Sequence, residues 1–370
     1  MSAPPETTEQ LVRSMFEVKQ HFVLPDGELE FQVAYDASTG SKFADFKAKA
    51  AALGYRPELS GSADECVLIV RKADQSPRTL SRVPALLLFF TLAALVFSAL
   101  LQQEVYRELI PNLSPYVSFL AYGGTMAAIL GAHELGQRLV ARTRDTGHAS
   151  SYLIPGIPIL PPFTPSWGFA SSQRDPALNR DSLFDTVVAG VLAMLGLTVL
   201  LFAIGTVASV QSAVPFAQTN LADTTVTVSP SLIQIGIYSM LSPFVQTVSP
   251  GYVAVSPIAD GATVGFILVF LCSLPLAFYD GGLLANVALS ARGARAAAYL
   301  SILALLAIDT PNYWGVALLA LVLVGRPYQP RLLDDVSPLS RSRRWLFAGI
   351  VVVAFLCLPI PHALGPFQLP

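Results

Sequence analysis

His133, Glu134 and Gln137, within one helical turn, and Asp280, far along the chain, are the residues whose types and spacing indicate chemistry. In the pattern His-Glu-x-x-His, the side chains at i and i+4 share one helix face, and the two histidines hold a zinc ion. The glutamate between them is the general base toward a metal-bound water. In this chain Gln137 replaces the second histidine. A carboxamide is a neutral and weaker zinc ligand than imidazole.

These candidate residues lie at the ends of two apolar runs. His133 follows the run 109–132, and Asp280 follows Tyr279, which closes the run 261–279. Because an ionisable side chain inside a membrane is expensive, each one is a functional hypothesis by default. Both sites precede the next arginines by about five to twelve residues, so we expect His133 and Asp280 to pack together at one depth, with Glu134 facing the same pocket.

A plainer interpretation of the same residues needs no metal. His133 and Glu134 would then be a hydrogen-bonded polar pair inside a helical bundle, and Asp280 would be a helix-end residue before a Gly-Gly stop.

The elements that must position these residues are predicted to be membrane helices. The 370 residues are 53% hydrophobic and 13% charged, with a mean hydropathy of +0.56, which is too apolar for an ordinary soluble protein. A helix needs about 20 apolar residues to cross a bilayer. The sequence therefore predicts a polytopic α-helical membrane protein with about six or seven transmembrane helices. They are expected in residues 83–103, 109–132, 186–207, 261–279, 296–308, 310–325 and 345–360.

Two further segments complete the predicted domain organisation. Residues 1–82 contain a strand–helix–strand pattern (28–35, 41–53 and 65–71), which predicts a small α+β cap domain with a docking or regulatory role. The transmembrane domain is expected to cover residues 83–370. Residues 208–257 are predicted to be a loop with a short membrane-surface or re-entrant helix.

Arginines predict the orientation of the chain. They flank the apolar runs on one common side if the N-terminus is cytoplasmic, with Arg107 as the exception, and residues 208–257 contain no Lys or Arg. We therefore expect an integral, multi-pass membrane protein with a cytoplasmic N-terminus.

Charge and cysteine content exclude other classes. A net charge of −2 without a basic block argues against nucleic-acid binding. Three cysteines without CxxC spacing indicate packing residues or free thiols. The first residues have neither a basic nor an apolar stretch, so we expect no cleaved signal peptide.

Over about residues 83–361, the chain resembles the site-2 protease family of intramembrane zinc metalloproteases, in the branch found in archaea and plant plastids. The resemblance includes the His133 motif and the segment RDSLFDTVVAG at 180–190, which is similar to that family's Arg-x-x-Leu-Phe-Asp helix start. It also includes YDGG at 279–282 and the loop LLDDVSPL at 332–339.

The resemblance implies an intramembrane peptidase that cuts transmembrane segments of membrane proteins within the lipid bilayer. His133, Gln137 and Asp280 would hold zinc, and Glu134 would be the catalytic base. The proline-rich segment 152–172 cannot be a regular helix. In the family it forms an extended element beside the active site, which makes Trp167, Gly168 and Phe169 the substrate-segment candidates. The alternative from the residues alone is a cytoplasmic loop.

The departures from the family pattern make zinc binding weak or absent. Besides Gln137, Cys272 stands where the family commonly has asparagine, and Leu283 stands where His or Arg is common. His148, eleven residues after Gln137, is not an obvious replacement. The sequence therefore supports two functions, an impaired zinc peptidase and an inactive pseudoprotease that binds membrane-protein segments. A transporter has less support, because no inverted repeat is visible.

Overall fold

A computed structural model describes most of the chain, namely residues 5–24, 28–73, 82–110, 112–144, 149–159, 164–173, 175–209, 230–244, 256–276, 279–308, 311–324 and 330–360. These residues are mostly helical, with a small α+β region at the N-terminus.

Four antiparallel strands and two helices form the N-terminal region. The helices are α1 (Pro5–Met15) and α2 (Thr39–Ala52), and the strands are β1 (Val18–Val23), β2 (Leu29–Val33), β3 (Tyr55–Gly61) and β4 (Cys66–Lys72). The predicted strand–helix–strand corresponds to β2, α2 and β4. Because β2 and β4 alternate buried and partly exposed residues, a period of two was visible in the sequence. The prediction missed α1, β1 and β3.

This sheet extends beyond residue 82. Two short strands from later in the chain, β7 (Ala177–Asn179) and β8 (Leu332–Asp334), complete the order β1-β2-β4-β3-β8-β7. The Asp335 N–H donates to the Leu59 carbonyl (3.0 Å) beside the β3–β8 pair. Strands from beyond the composition break near Arg82 therefore complete the N-terminal sheet.

The helical part contains two helices long and apolar enough to cross a membrane, which lie in α3 (Val83–Leu109) and α5 (Arg180–Val207). The other helices among the described residues are shorter or carry more polar residues. They are α4 (Pro115–Thr143), α6 (Leu232–Leu241), α7 (Pro257–Ser273), α8 (Asp280–Ala288), α9 (Ala291–Ala307), α10 (Pro311–Val324) and α11 (Arg341–Cys357). In place of the expected six or seven spans, the described residues thus offer two clear candidates.

Glycines allow the central helices α4, α5 and α7 to pack closely. A Cβ on Gly136 of α4 would lie 2.6 Å from the Ala189 carbonyl oxygen of α5. A Cβ on Gly205 of α5 would lie 2.3 Å from the Ala259 nitrogen of α7. Such close backbone approach is typical of helix packing in membrane proteins. It brings the buried face of α4 directly against α5.

The helix of the predicted fourth span, 261–279, ends earlier than expected, and a second helix begins directly after the span. α7 ends at Ser273, where Leu274 is extended (φ −66°, ψ 137°) before Pro275, and a residue before proline avoids the helical region. Asp280 then begins α8. The plainer interpretation of Asp280, as a helix-end residue before a Gly-Gly stop, is therefore wrong, because both glycines lie in the first turn of α8.

The proline-rich segment is a β-hairpin, in agreement with its predicted non-helical character. β5 (Ala149–Pro155) pairs antiparallel with β6 (Ser166–Gln173), and the hairpin packs against α3, α7 and α8. The short helix expected within 208–257 corresponds to α6, although residues 210–229 and 245–255 lie outside the described part of the chain.

Candidate functional site

Three buried polar side chains meet between α4 and α8. His133 Nε2 lies 2.5 Å from Asp280 Oδ2, and Gln137 Nε2 lies 3.3 Å from Asp280 Oδ1 and 3.4 Å from His133 Nε2. Their exposed fractions are 0%, 0% and 2% for His133, Asp280 and Gln137, so none faces solvent. The predicted proximity of His133 and Asp280 is confirmed.

Two features of the helices bring the trio together. Two of its members lie one turn apart on α4, and a glycine on α5 leaves room for them. His133 and Gln137 are four residues apart and both point to the buried face of α4. Gly190 of α5 lies opposite them, where a Cβ would be 2.6 Å from Gln137 Cγ. Asp280 is the first residue of α8, where the helix dipole favours a carboxylate.

Strand β6 covers the trio from a third side. The Phe169 ring stacks on the His133 imidazole, with centroids 3.8 Å apart and planes at 15°. The Tyr279 hydroxyl donates to the Trp167 carbonyl (2.5 Å). Gly168 has a φ of +107°, which favours glycine, and a Cβ there would be 2.8 Å from Cys272 Sγ. Of the three substrate-segment candidates, Phe169 therefore contacts the trio directly, and Trp167 and Gly168 contact Tyr279, the residue before Asp280.

Cys272 and Tyr279 hold β6 in this place. The Cys272 sulfur is hydrogen-bonded by the Phe169 backbone, and Tyr279 is fully buried with its hydroxyl on Trp167. Sequence analysis identified Cys272 only as a departure from the family pattern and gave Tyr279 no role of its own. The available signal is position, since Tyr279 immediately precedes Asp280 and Cys272 lies within the same apolar run.

Glu134 has a different environment from the trio. Its carboxylate accepts a hydrogen bond from Arg138 Nε (2.7 Å), one turn further along α4, and its side chain is 26% exposed. It therefore does not face the buried pocket as expected, and the described contacts do not place it as a base beside His133.

One separation within the trio is too short for two ligands of a shared zinc ion. Zinc bonds to N and O atoms are about 2.0–2.2 Å long, so two ligands of a tetrahedral ion lie about 3.4 Å apart. His133 Nε2 and Asp280 Oδ2 are closer than that and bond to each other directly. Within the described ranges, no three His, Cys, Asp or Glu side chains form a metal-binding group. The third position belongs to the carboxamide of Gln137.

The arrangement instead orients one imidazole. Since a carboxylate accepts hydrogen bonds, the contact with Asp280 assigns the hydrogen to His133 Nε2. His133 Nδ1 is buried without a hydrogen-bond partner among the described residues. Asp280 and His133 thus form a buried polar pair, and the Phe169 ring stacks on the face of the imidazole.

An ion-pair network surrounds the nearby helix ends. Arg343 of α11 donates from Nε to Asp185 (2.6 Å) and from Nη1 to Asp181 (2.6 Å), both at the start of α5. Arg144, directly after α4, also contacts Asp185 (2.6 Å). The hydrogen bond to Asp185 raises the pKa of the Arg343 guanidinium above its ordinary value. The network joins the ends of α4, α5 and α11.

The remaining histidines do not join the site in the described structure. His21 stacks on Phe31 in the N-terminal sheet, with centroids 5.2 Å apart. His148 and His362 lie outside the described residues.

Comparisons of the chain with protein-family models, with curated proteins and with solved structures find no match. The resemblance to site-2 proteases therefore rests on the motifs of the sequence.

Proposed function

We propose that this chain is a site-2-protease-like pseudoprotease, a multi-pass membrane protein that binds a segment of another membrane protein without hydrolysing it. The observation that carries the proposal is the direct hydrogen bond between His133 and Asp280, with Gln137 in the third position. Two groups that would have to share a metal bond to each other instead.

The hairpin provides the proposed binding element. An extended segment can bind by adding a strand to a sheet edge. The Trp167 carbonyl and the Phe169 N–H are engaged by Tyr279 and Cys272, so a bound segment would replace these two side chains as partners of β6. In the proposal, Tyr279 and Cys272 hold the hairpin closed until a segment arrives.

A second candidate function, the impaired zinc peptidase, is favoured by the convergence of His133, Gln137 and Asp280 in one buried place. This family-like arrangement would need the His133–Asp280 bond to open. The two candidates differ in metal content and in hydrolysis.

Zinc content and cleavage therefore test the proposal. We expect the purified wild-type protein to hold well below one equivalent of zinc by mass spectrometry of the metal and to leave a co-reconstituted transmembrane substrate uncut. Gln137→His restores an imidazole on the same helix face and should raise the zinc content. Gln137→Leu is the matched control, because it removes the carboxamide without adding a ligand. Stoichiometric zinc in the wild type, with cleavage abolished by Glu134→Gln, would overturn the pseudoprotease proposal.

The proposed topology places the N-terminus and the site-bearing helix ends in the cytoplasm. Its support is that Arg144, after α4, and Arg343, at the start of α11, both contact Asp185 near the start of α5. The N-terminal sheet shares β7, which directly precedes α5. Protease should digest residues 1–82 in inside-out vesicles and spare them in right-side-out cells; the reverse pattern would reject the orientation.

A further inference from the structure

The first turns of α11 present an exposed face with two cations and an aromatic ring. Arg341, Arg344 and Trp345 are exposed, and Trp345 is 71% accessible. They line an open groove together with Leu339 and Ala348. The spacing i, i+3, i+4 and i+7 from Arg341 places the helix members of this groove on one side of α11.

The charges of this face are not compensated within the described structure. Arg343, which lies between Arg341 and Arg344 in the sequence, points toward α5 and forms ion pairs with Asp181 and Asp185. Arg341 and Arg344 make no ion pair with any described residue. The groove therefore carries two positive charges that are available to a ligand.

The same side of α11 becomes apolar further along the helix. Val352 and Phe355 are 56% and 65% exposed. At about 1.5 Å per residue, Val352 lies about 16 Å beyond Arg341 along the axis. Cations, then an aromatic ring, then exposed apolar side chains follow one another in the order of the headgroup, interface and acyl layers of a lipid leaflet.

We propose that this groove binds an anionic phospholipid, with its phosphate on Arg341 and Arg344 and one acyl chain along Val352 and Phe355. The inference rests on the proposed membrane topology, which places the start of α11 at the cytoplasmic surface. Guanidinium groups bind phosphate through paired hydrogen bonds, and basic grooves at this level bind anionic headgroups. Trp345 sits where an aromatic ring anchors at the interface.

Native mass spectrometry of the full-length protein in detergent tests the site, with phosphatidylglycerol and phosphatidylcholine as the two lipids. We expect the wild type to bind phosphatidylglycerol about tenfold more tightly than phosphatidylcholine. Arg341→Gln/Arg344→Gln should remove most of this preference. Arg292→Gln/Arg295→Gln is the matched control, since it changes the same charge on two exposed arginines in the first turns of α9 and should retain the preference.

Other outcomes reject the proposal. An equal loss of the phosphatidylglycerol preference in both double variants would mean that the lipid is attracted by charge in general. Displacement of the lipid by inorganic phosphate would mean that the groove binds free phosphate. If the double variant unfolds, Arg344→Gln alone must weaken phosphatidylglycerol binding. Failure of the topology is recognised separately, because residues 1–82 would then be protected in inside-out vesicles and digested in right-side-out cells. The zinc experiment is independent of all these readouts.

Discussion

Gly190 of α5 lies directly against Gln137 of α4, so that a Cβ on Gly190 would be 2.6 Å from Gln137 Cγ and 3.0 Å from His133 Nε2. The site has no space for a methyl group at this position. Because residue 190 has no side chain, α5 packs directly against Gln137 and His133, and both side chains lie next to Asp280. Packing against α5 is therefore part of the geometry of the trio.

Gly190→Ala should destabilise the protein by about 1–3 kcal/mol, because an added methyl group in a packed interior forces its neighbours to move. The better helix propensity of alanine offsets part of this, by up to about 1 kcal/mol. Gly196→Ala on the same helix is the control, since no atom lies within 4 Å of its added Cβ. The measurement is thermal unfolding in detergent; equal midpoints for the two variants would show that the Gly190 contact is not tight.

Tyr279→Phe should loosen strand β6. The substitution removes the hydrogen bond to the Trp167 carbonyl, a loss of about 1 kcal/mol, and leaves the ring in place. Hydrogen exchange of residues 166–173 should become faster, and cross-linking of a bound membrane segment to the hairpin should increase. Tyr122→Phe is the control, because its bond to Ser98 joins α3 and α4 instead. Unchanged exchange in β6 would argue against Tyr279 as the closing group.

The N-terminal region should lose stability in acid through Asp36. The Asp36 carboxylate accepts hydrogen bonds from Ser38 and from Lys42 (2.9 Å to Lys42 Nζ), and these hold its pKa well below the ordinary value. A depressed pKa in the folded state contributes stability above the unfolded-state pKa, near 4, and this stability is lost as the pH falls toward the folded value. The hydrogen-exchange protection factors of α2, each referred to the intrinsic exchange rate at the same pH, should therefore fall below about pH 4.

Two variants check the origin of this acid sensitivity. Asp36→Asn should have faster exchange in α2 already at neutral pH and a smaller further change on acidification. Asp45→Asn, at an exposed position on the same helix, should behave like the wild type. If Asp36→Asn retains the full acid response, another carboxylate is responsible.

Local patterns made part of the fold and the site predictable. The alternation in β2 and β4 and the long apolar runs in α3 and α5 are properties of neighbouring residues, so they are visible in the sequence. His133 and Asp280 were paired because each ends an apolar run before a group of arginines. That argument concerns depth alone and needs no knowledge of helix packing.

The missed features depend on contacts between distant residues. Phe169 stacks on His133, and Tyr279 donates a hydrogen bond to Trp167, more than 100 residues away. No local sequence pattern predicts either contact. The strands β7 and β8 have three residues each and exist because they complete a sheet built by the N-terminal region. The break before Asp280 had a local signal, Pro275, whose effect on the run 261–279 was underestimated.

Strand β8 connects two of the three hydrophobic cores among the described residues through adjacent leucines. Leu333 is buried in the N-terminal core with Phe31, Phe43 and Leu68, whereas Leu332 is buried with Val187 in a smaller core formed by α5, α8 and α11. Successive side chains of a strand point to opposite faces, so one short strand contributes to both cores. The N-terminal sheet is thereby fixed to the helices that carry the site.

Leu333→Ala and Leu332→Ala should therefore destabilise different parts of the protein. Each removes a buried leucine side chain and should cost about 2–5 kcal/mol. In hydrogen exchange, Leu333→Ala should accelerate β3 and β4 first, and Leu332→Ala should accelerate the start of α5 and α8 first. Each variant is the control for the other, because the two changes are chemically identical and adjacent. If both accelerate the same segments equally, the two cores unfold as one unit and β8 does not join separable parts.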